Sequence, residues 1–351
     1  SIPSSDRTVD HSLPLPDLKP RIAEVCRDLF NKWRNLDDSD FSLETVSGGI
    51  TNLLLKVSIR EKQDSTAVIT VRLFGPNTEY VVNRERELQA IPYLSAAGFG
   101  AVLLGVFGNG MVQSFIDART LTPSDMRSPK LAAQIAKHLR RFHSVQVPGS
   151  KEPQLWNDIS KFFGRASTLK FDDAEKQKTL ESISFTEIDQ EIDQLKQLTS
   201  RFDAPVVYAH NDLLSGNLML NDDEEKLYLI DFEYGSYNYR GFDIGNHFCE
   251  YAGYECDYGL YPNEDEQYLF FRNYLNPDNP TQVSDSELEA LHVETNTFML
   301  VAHLYWALWA VIQAKVSPID FDYLGYFILR YNEYKRRKAQ CFSSAQVYFS
   351  K

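Results

Sequence analysis

Residues 205–250 constrain the fold of this chain more than any other stretch, because three short apolar runs alternate there with polar residues. The first run, residues 206–208, reads as a strand that ends just before a polar loop. The second run begins after Asn217, and the third ends at Asp231. In two antiparallel strands joined by a turn, the start of one strand and the end of the next lie at the same edge. The sequence therefore predicts that Asn217 and Asp231 lie close together, beside the loop that carries Asp212.

The polar residues at this edge have the chemistry of phosphoryl transfer. Amide and carboxylate oxygens are ligands that Mg²⁺ prefers, so Asn217 and Asp231 are candidate metal ligands. Glu233 follows on the same face of an extended segment and is a candidate ligand for a second metal ion. Asp212 is the candidate catalytic residue, since phosphoryl transfer needs a group that orients the attacking hydroxyl and accepts its proton.

Each of these residues has an ordinary alternative when it is taken singly, since Asn and Asp commonly form turns and cap helices. The joint pattern is more specific: His-Asn-Asp, four residues, Asn, and then an apolar strand that ends in Ile-Asp-Phe. We therefore interpret the stretch as the catalytic centre of a phosphotransferase. His210, His247 and Asp243 are expected to brace the surrounding loops and to take no part in the chemistry.

The composition bounds the partners of the chain. Its 351 residues exceed what one ordinary core needs, which predicts two lobes. The formal net charge of −13 argues against nucleic acid and against an anionic membrane surface as partners, because both attract cationic proteins. A nucleotide site in so acidic a chain needs a metal ion and a few placed cations to offset the negative field.

Three further features bear on the environment of the chain. The longest apolar run, residues 298–312, is short for a membrane span, so it predicts a buried helix and no stable membrane insertion. Scattered cysteines without a close Cys-x-x-Cys pair indicate a reducing compartment, expected to be the cytoplasm, and disfavour a zinc site. Residues 1–20 are polar and Pro-rich, and they predict a disordered tail.

The first third of the chain predicts an antiparallel sheet. Two apolar runs flank a small-residue segment at residues 47–52, which indicates a hairpin. Glycines there let the backbone approach phosphate oxygens, whereas an ordinary hairpin turn is the alternative that this stretch alone favours. The candidate nucleotide-binding residues of the segment are Ser47, Gly48, Gly49, Thr51 and Asn52.

Two charged residues accompany this sheet as candidate nucleotide-binding residues. Arg72 lies in the middle of a predicted strand over residues 67–75, so its charge faces either solvent or a cleft. Glu87 lies in a helix predicted over residues 83–97. It either reaches Arg72 and holds it toward a phosphate, or it is one of the many surface glutamates.

A second hairpin is predicted by two apolar runs joined by a Gly-Asn-Gly turn at residues 108–110. From residue 128 the apolar period becomes that of helices. The predicted fold is therefore α+β, with a small antiparallel-sheet N-lobe over residues 21–116 and a larger, mainly helical C-lobe over residues 117–351. The outline is that of a kinase, whose hinge would contact the nucleotide through Gln113, Phe115 and Ile116.

Three longer motifs resemble the choline/ethanolamine kinase family: HNDLLSGN, IDFEYGSYNYRGFDIGNHFCE and HLYWALWAVIQAKVSPIDFDYLGY. The resemblance covers most of residues 45–335 and is nearest to ethanolamine kinases. The motifs are similar to those of plant members of the family. It implies a two-lobed protein-kinase-like fold and the ATP- and Mg²⁺-dependent phosphorylation of a small amino alcohol. It also makes a homodimer an expected assembly, although no stretch of the sequence marks an interface.

The resemblance implies a role for each candidate residue. Asp212 matches the catalytic base, and the metal ligands match Asn217, Asp231 and Glu233. The phosphate-covering loop matches residues 47–52, and the strand cation with its helix partner matches Arg72 and Glu87. The pocket for the amino alcohol matches Tyr234, Glu250, Trp306, Trp309 and Tyr326.

This pocket has a physical logic of its own. Trp306 and Trp309 are three residues apart on one predicted helix and therefore share a face. With Tyr234 and Tyr326 they would wall a cationic head group by cation–π attraction, and Glu250 would add a negative charge. Plain core packing is the alternative for two tryptophans in an apolar helix.

The choice between ethanolamine and choline depends on family likeness. Leu214 stands where choline-preferring relatives tend to have glutamine, whereas Cys249 resembles choline kinases. We expect ethanolamine as the substrate, with a choline kinase or a dual kinase as the alternative. A non-catalytic kinase-like binding module and a sugar or antibiotic phosphotransferase are further alternatives, and the aromatic and acidic pocket disfavours a polyhydroxylated ring.

Overall fold

A computed structural model describes residues 1–48 and 50–351. The described chain divides into two units, and both are assembled from separate stretches of sequence. The first unit consists of Ser1–Glu79, Gly100–Asp117 and Ser317–Asp320, and the second of Tyr80–Phe99, Ala118–Val316 and Phe321–Lys351. These units differ from the predicted N-lobe (21–116) and C-lobe (117–351), because residues 80–99 group with the second unit.

The first unit contains an antiparallel sheet of five strands among the described residues, in the order β1-β2-β3-β5-β4. The strands are β1 (Phe41–Gly48), β2 (Asn52–Lys62), β3 (Ser65–Phe74), β4 (Leu103–Phe107) and β5 (Gly110–Ser114), preceded by helix α1 (Leu15–Leu29). Both predicted hairpins, β1–β2 and β4–β5, are confirmed. Alternate residues of β2, among them Leu55, Val57 and Ile59, are buried in one core with the apolar face of α1.

The first twenty residues differ from the predicted disordered tail. Strand β4 lies at the edge of the sheet, and its Val106 exchanges backbone hydrogen bonds with the N-terminal segment, from Ser5 N–H (3.0 Å) and to Pro3 C=O (3.0 Å). The side chain of Asn109 accepts from Val9 N–H (2.9 Å) and donates to Val9 C=O (2.6 Å). The segment covers a sheet edge with its backbone, a role that its polar composition does not reveal.

The second unit is mainly helical. Its helices are α2 (Arg84–Ala96), α3 (Pro123–Met126), α4 (Pro129–His143), α5 (Leu155–Ser167), α6 (Ala174–Glu181), α7 (Phe185–Ser200), α8 (Arg240–Cys249), α9 (Glu264–Leu275), α10 (Asp285–Val316) and α11 (Tyr323–Phe349). Its strands are β6 (Arg119–Thr120), β7 (Val206–Ala209), β8 (Leu218–Asn221), β9 (Lys226–Leu229) and β10 (Ser236–Tyr239). They form two small antiparallel sheets within the described chain, β7 with β10 and β6-β8-β9.

Helix α10 is the centre of this unit, and it packs against α5, α7, α8, α9 and α11. Among the described residues it is the one helix that has the length and composition to cross a membrane, with a mean hydropathy of 1.4 in its most apolar stretch. That stretch is 94% buried inside the protein. The predicted buried helix over residues 298–312 is therefore confirmed, and its apolar faces are covered by other helices.

A glycine allows α8 to approach α10 closely. A Cβ at Gly245 would lie 2.7 Å from the carbonyl oxygen of Thr295 and 2.9 Å from the backbone nitrogen of Met299. Backbone atoms cannot rotate away as side chains do, so any side chain at Gly245 must move one helix relative to the other.

Gly245→Ala is expected to lower the free energy of unfolding by about 2 kcal/mol, because overpacking at a helix contact forces a backbone shift. Gly164, in the interior of α5, is the matched control, since a Cβ there meets nothing within 4 Å. Gly164→Ala should raise stability by about 1 kcal/mol through helix propensity alone. Urea unfolding of both variants measures the two changes, and shifts of the same sign would contradict this account of the α8–α10 contact.

Candidate active site

The stretch that leads to the candidate site folds as strands and a loop. Strand β7 runs into the catalytic loop, defined as residues 210–217, which ends in a single 3₁₀ turn, Ser215–Asn217. Strands β8 and β9 pair so that Leu218 lies opposite Leu229. Ile230, the residue before Asp231, donates its N–H to the carbonyl oxygen of Asn217 at 3.0 Å. The prediction that Asn217 and Asp231 meet at one edge is therefore confirmed, and their roles stay predictions.

The carboxylate of Asp243 holds the start of the catalytic loop. It accepts the backbone N–H of His210 at 2.9 Å and that of Asn211 at 2.8 Å, and it lies 2.7 Å from Nε2 of His143. Burial alone would raise the pKa of Asp243, but the hydrogen bond and charge of His143, with the N–H of Asn211, outweigh burial and hold that pKa below its ordinary value. Asp243 therefore braces the loop as a buried carboxylate, as the sequence predicts.

Asn211 connects the loop to its surroundings through nearly all of its polar atoms. Its backbone is left-handed, with φ of 68°, a conformation that costs free energy in a residue with a side chain. Its Nδ2 donates to the carbonyl of Tyr234 and to Oγ of Ser236, each at 2.9 Å. Its Oδ1 accepts from Asn238 (2.9 Å), and its carbonyl accepts from Asn246 (3.0 Å). These contacts offset the strain and fix the residue before Asp212.

The two histidines of this region orient loops, as predicted. Nε2 of His210 lies 2.8 Å from the carbonyl oxygen of Ile230, and Nδ1 accepts the N–H of Asp212 at 3.1 Å. A carbonyl only accepts, so Nε2 carries the proton and His210 is neutral. His247 likewise donates from Nδ1 to the carbonyl of Leu213 at 2.7 Å.

Asp212 lies in a buried concentration of negative charge. Asn217 donates from Nδ2 to the carbonyl of Asp212 (2.8 Å) and to its Oδ2 (3.2 Å). Burial and the charges of Glu250, Asp231 and Glu233 raise the pKa of Asp212 well above its ordinary value. A cation that binds beside these carboxylates would relieve this repulsion, so the charge pattern fits a divalent ion.

The donor atoms also fit a magnesium ion that shares its coordination with a nucleotide. Among the described residues, no three His, Cys, Asp or Glu side chains form a metal cluster by themselves. Mg²⁺ needs fewer, because it is usually held by one or two carboxylates together with phosphate oxygens and water. The side-chain nitrogen of Asn217, Nδ2, donates to Asp212. The side-chain oxygen of Asn217, Oδ1, is therefore the atom that could bind a metal ion. Asp231 has a left-handed φ of 61°, a strain that is characteristic of functional sites.

Arg84 was not predicted, and it bridges two of the candidate residues. Its Nη1 donates to Glu233 Oε2 at 2.8 Å and to Glu87 Oε1 at 3.1 Å. Glu87 is fully buried, so the alternative of a surface charge is wrong. The predicted pairing of Glu87 with Arg72 stays a prediction, as does the role of Glu233 as a metal ligand, for which Arg84 would have to share or yield the carboxylate.

The other candidate nucleotide-binding residues belong to the first unit. Arg72 lies in β3 with only 5% of its surface exposed, so the alternative of a solvated face is wrong. Thr51, just before β2, and Asn52, the first residue of β2, are also buried. Gly49 lies outside the described residues, and Ser47 and Gly48 end β1.

The predicted hinge residues follow β5 or lie within it. Gln113 is in β5, opposite Thr70 of β3. Phe115 and Ile116 come just after β5 and are half-buried, and Nζ of Lys56 lies 4.7 Å from the centre of the Phe115 ring. Nucleotide contacts by these residues stay a prediction.

The structure brings the predicted substrate residues together in an aromatic cluster, defined as Tyr234, Trp306, Trp309 and Tyr326. Ring centres are 5.1 Å apart for Tyr234 and Trp306, 5.3 Å for the two tryptophans, and 6.2 Å for Trp309 and Tyr326. Both indole N–H groups are hydrogen-bonded: Trp306 donates to Oδ1 of Asn246 (2.7 Å) and Trp309 to the hydroxyl of Tyr234 (2.8 Å). The ring contacts fix the packing of the cluster, and the two hydrogen bonds fix the orientation of the indole rings.

A buried arginine that the sequence analysis missed joins Glu250 to this cluster. Arg330 is 1% exposed, and its Nη1 lies 2.7 Å from the hydroxyl of Tyr326 and 3.6 Å from Oε1 of Glu250. Its Nε donates to Nδ1 of His303 at 2.9 Å. Burial raises the pKa of Glu250, and the charge of Arg330 opposes that rise. The spacing of Tyr326 and Arg330, four residues apart on α11, is the signal that sequence reasoning could have used.

Comparison with known proteins identifies the family. A sequence model described as Choline/ethanolamine kinase matches residues 43–335. This chain belongs to the choline/ethanolamine kinase family. It is 66% identical over 349 residues to a probable ethanolamine kinase of Arabidopsis thaliana, covering 99% of this chain and 93% of that protein. It is 33% identical over 341 residues to probable choline kinase 3 of the same plant, covering 94% and 96% of the two chains.

A solved structure supports the same family. The Plasmodium vivax ethanolamine kinase is 29% identical and has a TM-score of 0.78, over 93% of this chain and 95% of that chain. The predicted fold class is confirmed: this choline/ethanolamine kinase family member has the protein-kinase-like α+β fold, with an antiparallel sheet in its N-terminal part and helices in its C-terminal part. Family membership makes phosphoryl transfer the chemistry of this chain, and the part that the catalytic loop takes in it stays a prediction.

The neutral histidine behind the catalytic loop predicts a dependence of stability on pH. Burial lowers the pKa of His247 from 6.5 to about 4. Between those values the unfolded chain binds more protons than the folded one, so the free energy of unfolding falls as pH is lowered through this window. The shift corresponds to about 3 kcal/mol.

His247→Asn tests this origin, since the Asn amide can still donate to Leu213 but does not titrate. Urea unfolding between pH 7 and pH 4 should give a shallower decline for the variant than for the wild type. Burial also lowers the pKa values of His210 and His303, so part of the decline should persist in the variant. Equal slopes in the two proteins would contradict the assignment to His247.

Proposed function

We propose that this chain is an ethanolamine kinase, which transfers the γ-phosphoryl group of ATP to the hydroxyl of ethanolamine and yields phosphoethanolamine for phosphatidylethanolamine synthesis. The observation that carries the proposal is the joint presence, in one unit, of a catalytic loop with a buried Asp212 and an aromatic cluster flanked by Glu250. The much higher identity to the probable ethanolamine kinase than to the probable choline kinase supports the choice of alcohol.

The proposed catalytic residue is Asp212. Its carboxylate would orient the hydroxyl of the substrate and accept its proton as the oxygen attacks the γ-phosphorus. Asn217 holds Asp212 through two hydrogen bonds, and the left-handed Asn211 fixes the backbone just before it. Positioning and electrostatic stabilisation together supply nearly all of the rate in phosphoryl transfer, because the loose transition state makes little use of covalent chemistry by the protein.

We assign the metal site to Asn217 and Asp231, with Glu233 as a further ligand. When bound, Mg²⁺ would neutralise charge on the β- and γ-phosphates of ATP. Arg84 already compensates Glu233, so this carboxylate would have to divide its oxygens between the arginine and a metal ion. The support for this assignment is the negative charge around Asp212 and the hard oxygen donors.

The residues proposed for the nucleotide lie mainly in the first unit. Arg72 is a buried cation, suited to the phosphates of ATP because a buried charge acts at low dielectric. The pairing of Glu87 with Arg72 is kept as a prediction from the sequence, and in the structure Glu87 receives a hydrogen bond from Arg84. The remaining assignments are Ser47, Gly48, Gly49, Thr51, Asn52, Gln113, Phe115 and Ile116.

The residues proposed for the amino alcohol are the aromatic cluster and Glu250. Aromatic faces attract either an ammonium or a trimethylammonium group, so the cluster alone accepts both ethanolamine and choline. Ethanolamine differs because its ammonium group carries three N–H donors, each of which needs an acceptor when it is buried. Glu250 can supply one such acceptor. Nη1 of Arg330 lies 3.6 Å from Oε1 of Glu250, which is longer than a hydrogen bond, so this oxygen can accept from the substrate.

Three expectations of the sequence stay predictions within this proposal: a homodimer, a cytoplasmic location and the absence of nucleic-acid partners. The cysteines bear on the expected cytoplasmic location. All four are free thiols in the structure. Free thiols are usual in a reducing compartment.

A competition assay tests the proposal. The purified protein is given equal concentrations of ethanolamine and choline with Mg²⁺-ATP, and the two phosphorylated products are quantified by mass spectrometry. We expect kcat/KM for ethanolamine to exceed that for choline by at least about tenfold, since loss of hydrogen-bonded N–H donors in a buried site costs about 1.4 kcal/mol or more. Asp212→Asn is the control, and it should abolish both products while nucleotide binding persists.

The outcomes separate the alternatives. A preference for choline would make the chain a choline kinase, and equal use would make it a dual kinase. Failure to form either product with the wild-type protein would support the non-catalytic alternative and overturn the proposal.

A further inference from the structure

One buried amide in the second unit bonds to both halves of the candidate site. Asn246 lies in α8 and is fully buried. Its Oδ1 accepts the indole N–H of Trp306 at 2.7 Å, and its Nδ2 donates to the carbonyl oxygen of Asn211 at 3.0 Å. Trp306 is a wall of the aromatic cluster, and Asn211 is bonded through its carbonyl carbon to Asp212. A single side chain thus joins the proposed substrate wall to the proposed catalytic residue.

The amide group is planar and rigid, so the two bonds of Asn246 cannot be adjusted independently. A rotation that lengthens the contact to Trp306 also moves the group that holds Asn211. Tyr234 provides another connection between the aromatic cluster and the catalytic loop. Its hydroxyl accepts a hydrogen bond from Trp309, and its backbone carbonyl accepts one from Asn211. The rotatable side chain of Tyr234 separates these two contacts, so this path is less stiff.

An ordinary buried asparagine satisfies its polar atoms and does no more. Asn273 of α9 is an example in this chain, since its Nδ2 donates to the carbonyl of Leu269 at 2.8 Å, within its own helix. Asn246 differs because neither of its partners is in α8, and each belongs to a different functional part. Its contacts therefore bear on the distance between those parts and not only on the stability of a helix.

The length of the substrate makes that distance matter. Ethanolamine has two carbons between its ammonium nitrogen and its hydroxyl. The distance from the binding site of the nitrogen, beside Trp306, to the carboxylate of Asp212 must match that length. Displacement of reacting groups by about 1 Å is enough to lower rates by about a hundredfold. We propose that Asn246 is a positioning residue that sets the separation of Trp306 and Asp212, and thereby selects amino alcohols of two-carbon length. The inference rests on the proposed function.

Asn246→Ala tests the inference with two substrates, ethanolamine and 3-amino-1-propanol, which is longer by one methylene group. The variant should lower kcat/KM for ethanolamine by about tenfold to a hundredfold, since two buried hydrogen bonds are lost. The KM for ATP should stay within about twofold of the wild type. The ratio of kcat/KM for ethanolamine to that for 3-amino-1-propanol should fall several-fold, because the longer substrate gains from the loosened spacing.

Trp306→Phe provides a second, milder variant, which keeps a six-membered aromatic ring and removes the five-membered ring of the indole together with its N–H. It should raise the KM for ethanolamine and lower the same substrate ratio. When it is combined with Asn246→Ala, the drop in the ratio should be no larger than in Asn246→Ala alone, because one bond cannot be lost twice. Asn273→Ala is the matched control for a buried asparagine, and it should leave both KM values, kcat and the substrate ratio unchanged.

The results distinguish this inference from the proposed function. A wild-type protein that does not phosphorylate ethanolamine would overturn the function itself. An active wild type with an unchanged substrate ratio in Asn246→Ala, or with additive changes in the double variant, would overturn only the positioning role. If Asn246→Ala does not fold, an unchanged ratio in Trp306→Phe would overturn the positioning role in its place.

Discussion

The candidate site depends on the carboxylate of Asp243, which accepts two successive backbone N–H groups at the start of the catalytic loop. A chain can present two adjacent N–H groups to one acceptor only where the backbone turns sharply. The left-handed Asn211 provides that turn, and its own side chain is held by β10 and the residues before it. The proposed base follows this bent segment directly, Asn217 bonds to that base, and Trp306 is joined to the segment through Asn246.

Charge is the second constraint. Asp212, Asp231, Glu233 and Glu250 share a buried region of a chain that is already acidic overall. Buried carboxylates are tolerated when cations or hydrogen-bond donors face them. Arg84 does this for Glu233, Arg330 lies beside Glu250, and backbone N–H groups do it for Asp243. Burial and the charges of Glu250, Asp231 and Glu233 still raise the pKa of Asp212, which is the property expected of a site that receives a metal ion and a nucleotide together.

The sequence predicted the parts of this site that depend on local pattern. The strands on either side of the catalytic loop and the closeness of Asn217 and Asp231 follow from apolar periodicity and turn chemistry. It missed Arg84, Arg330 and Asn246, because each of them also has a partner 27 to 149 positions away, which local pattern does not reveal. It also misread residues 1–20, since a polar segment that covers a sheet edge has the composition of a disordered one.

Amide hydrogen exchange in wild type and Asp243→Asn tests most directly whether this carboxylate holds the catalytic loop. In the variant, the side-chain amide can accept at one oxygen only and presents N–H groups to other N–H groups. We expect exchange at the amides of His210 and Asn211 to accelerate by about tenfold or more, as one buried hydrogen bond is lost, while α10 keeps its protection. Unchanged protection of the two loop amides, or an equal loss throughout the second unit, would contradict the account.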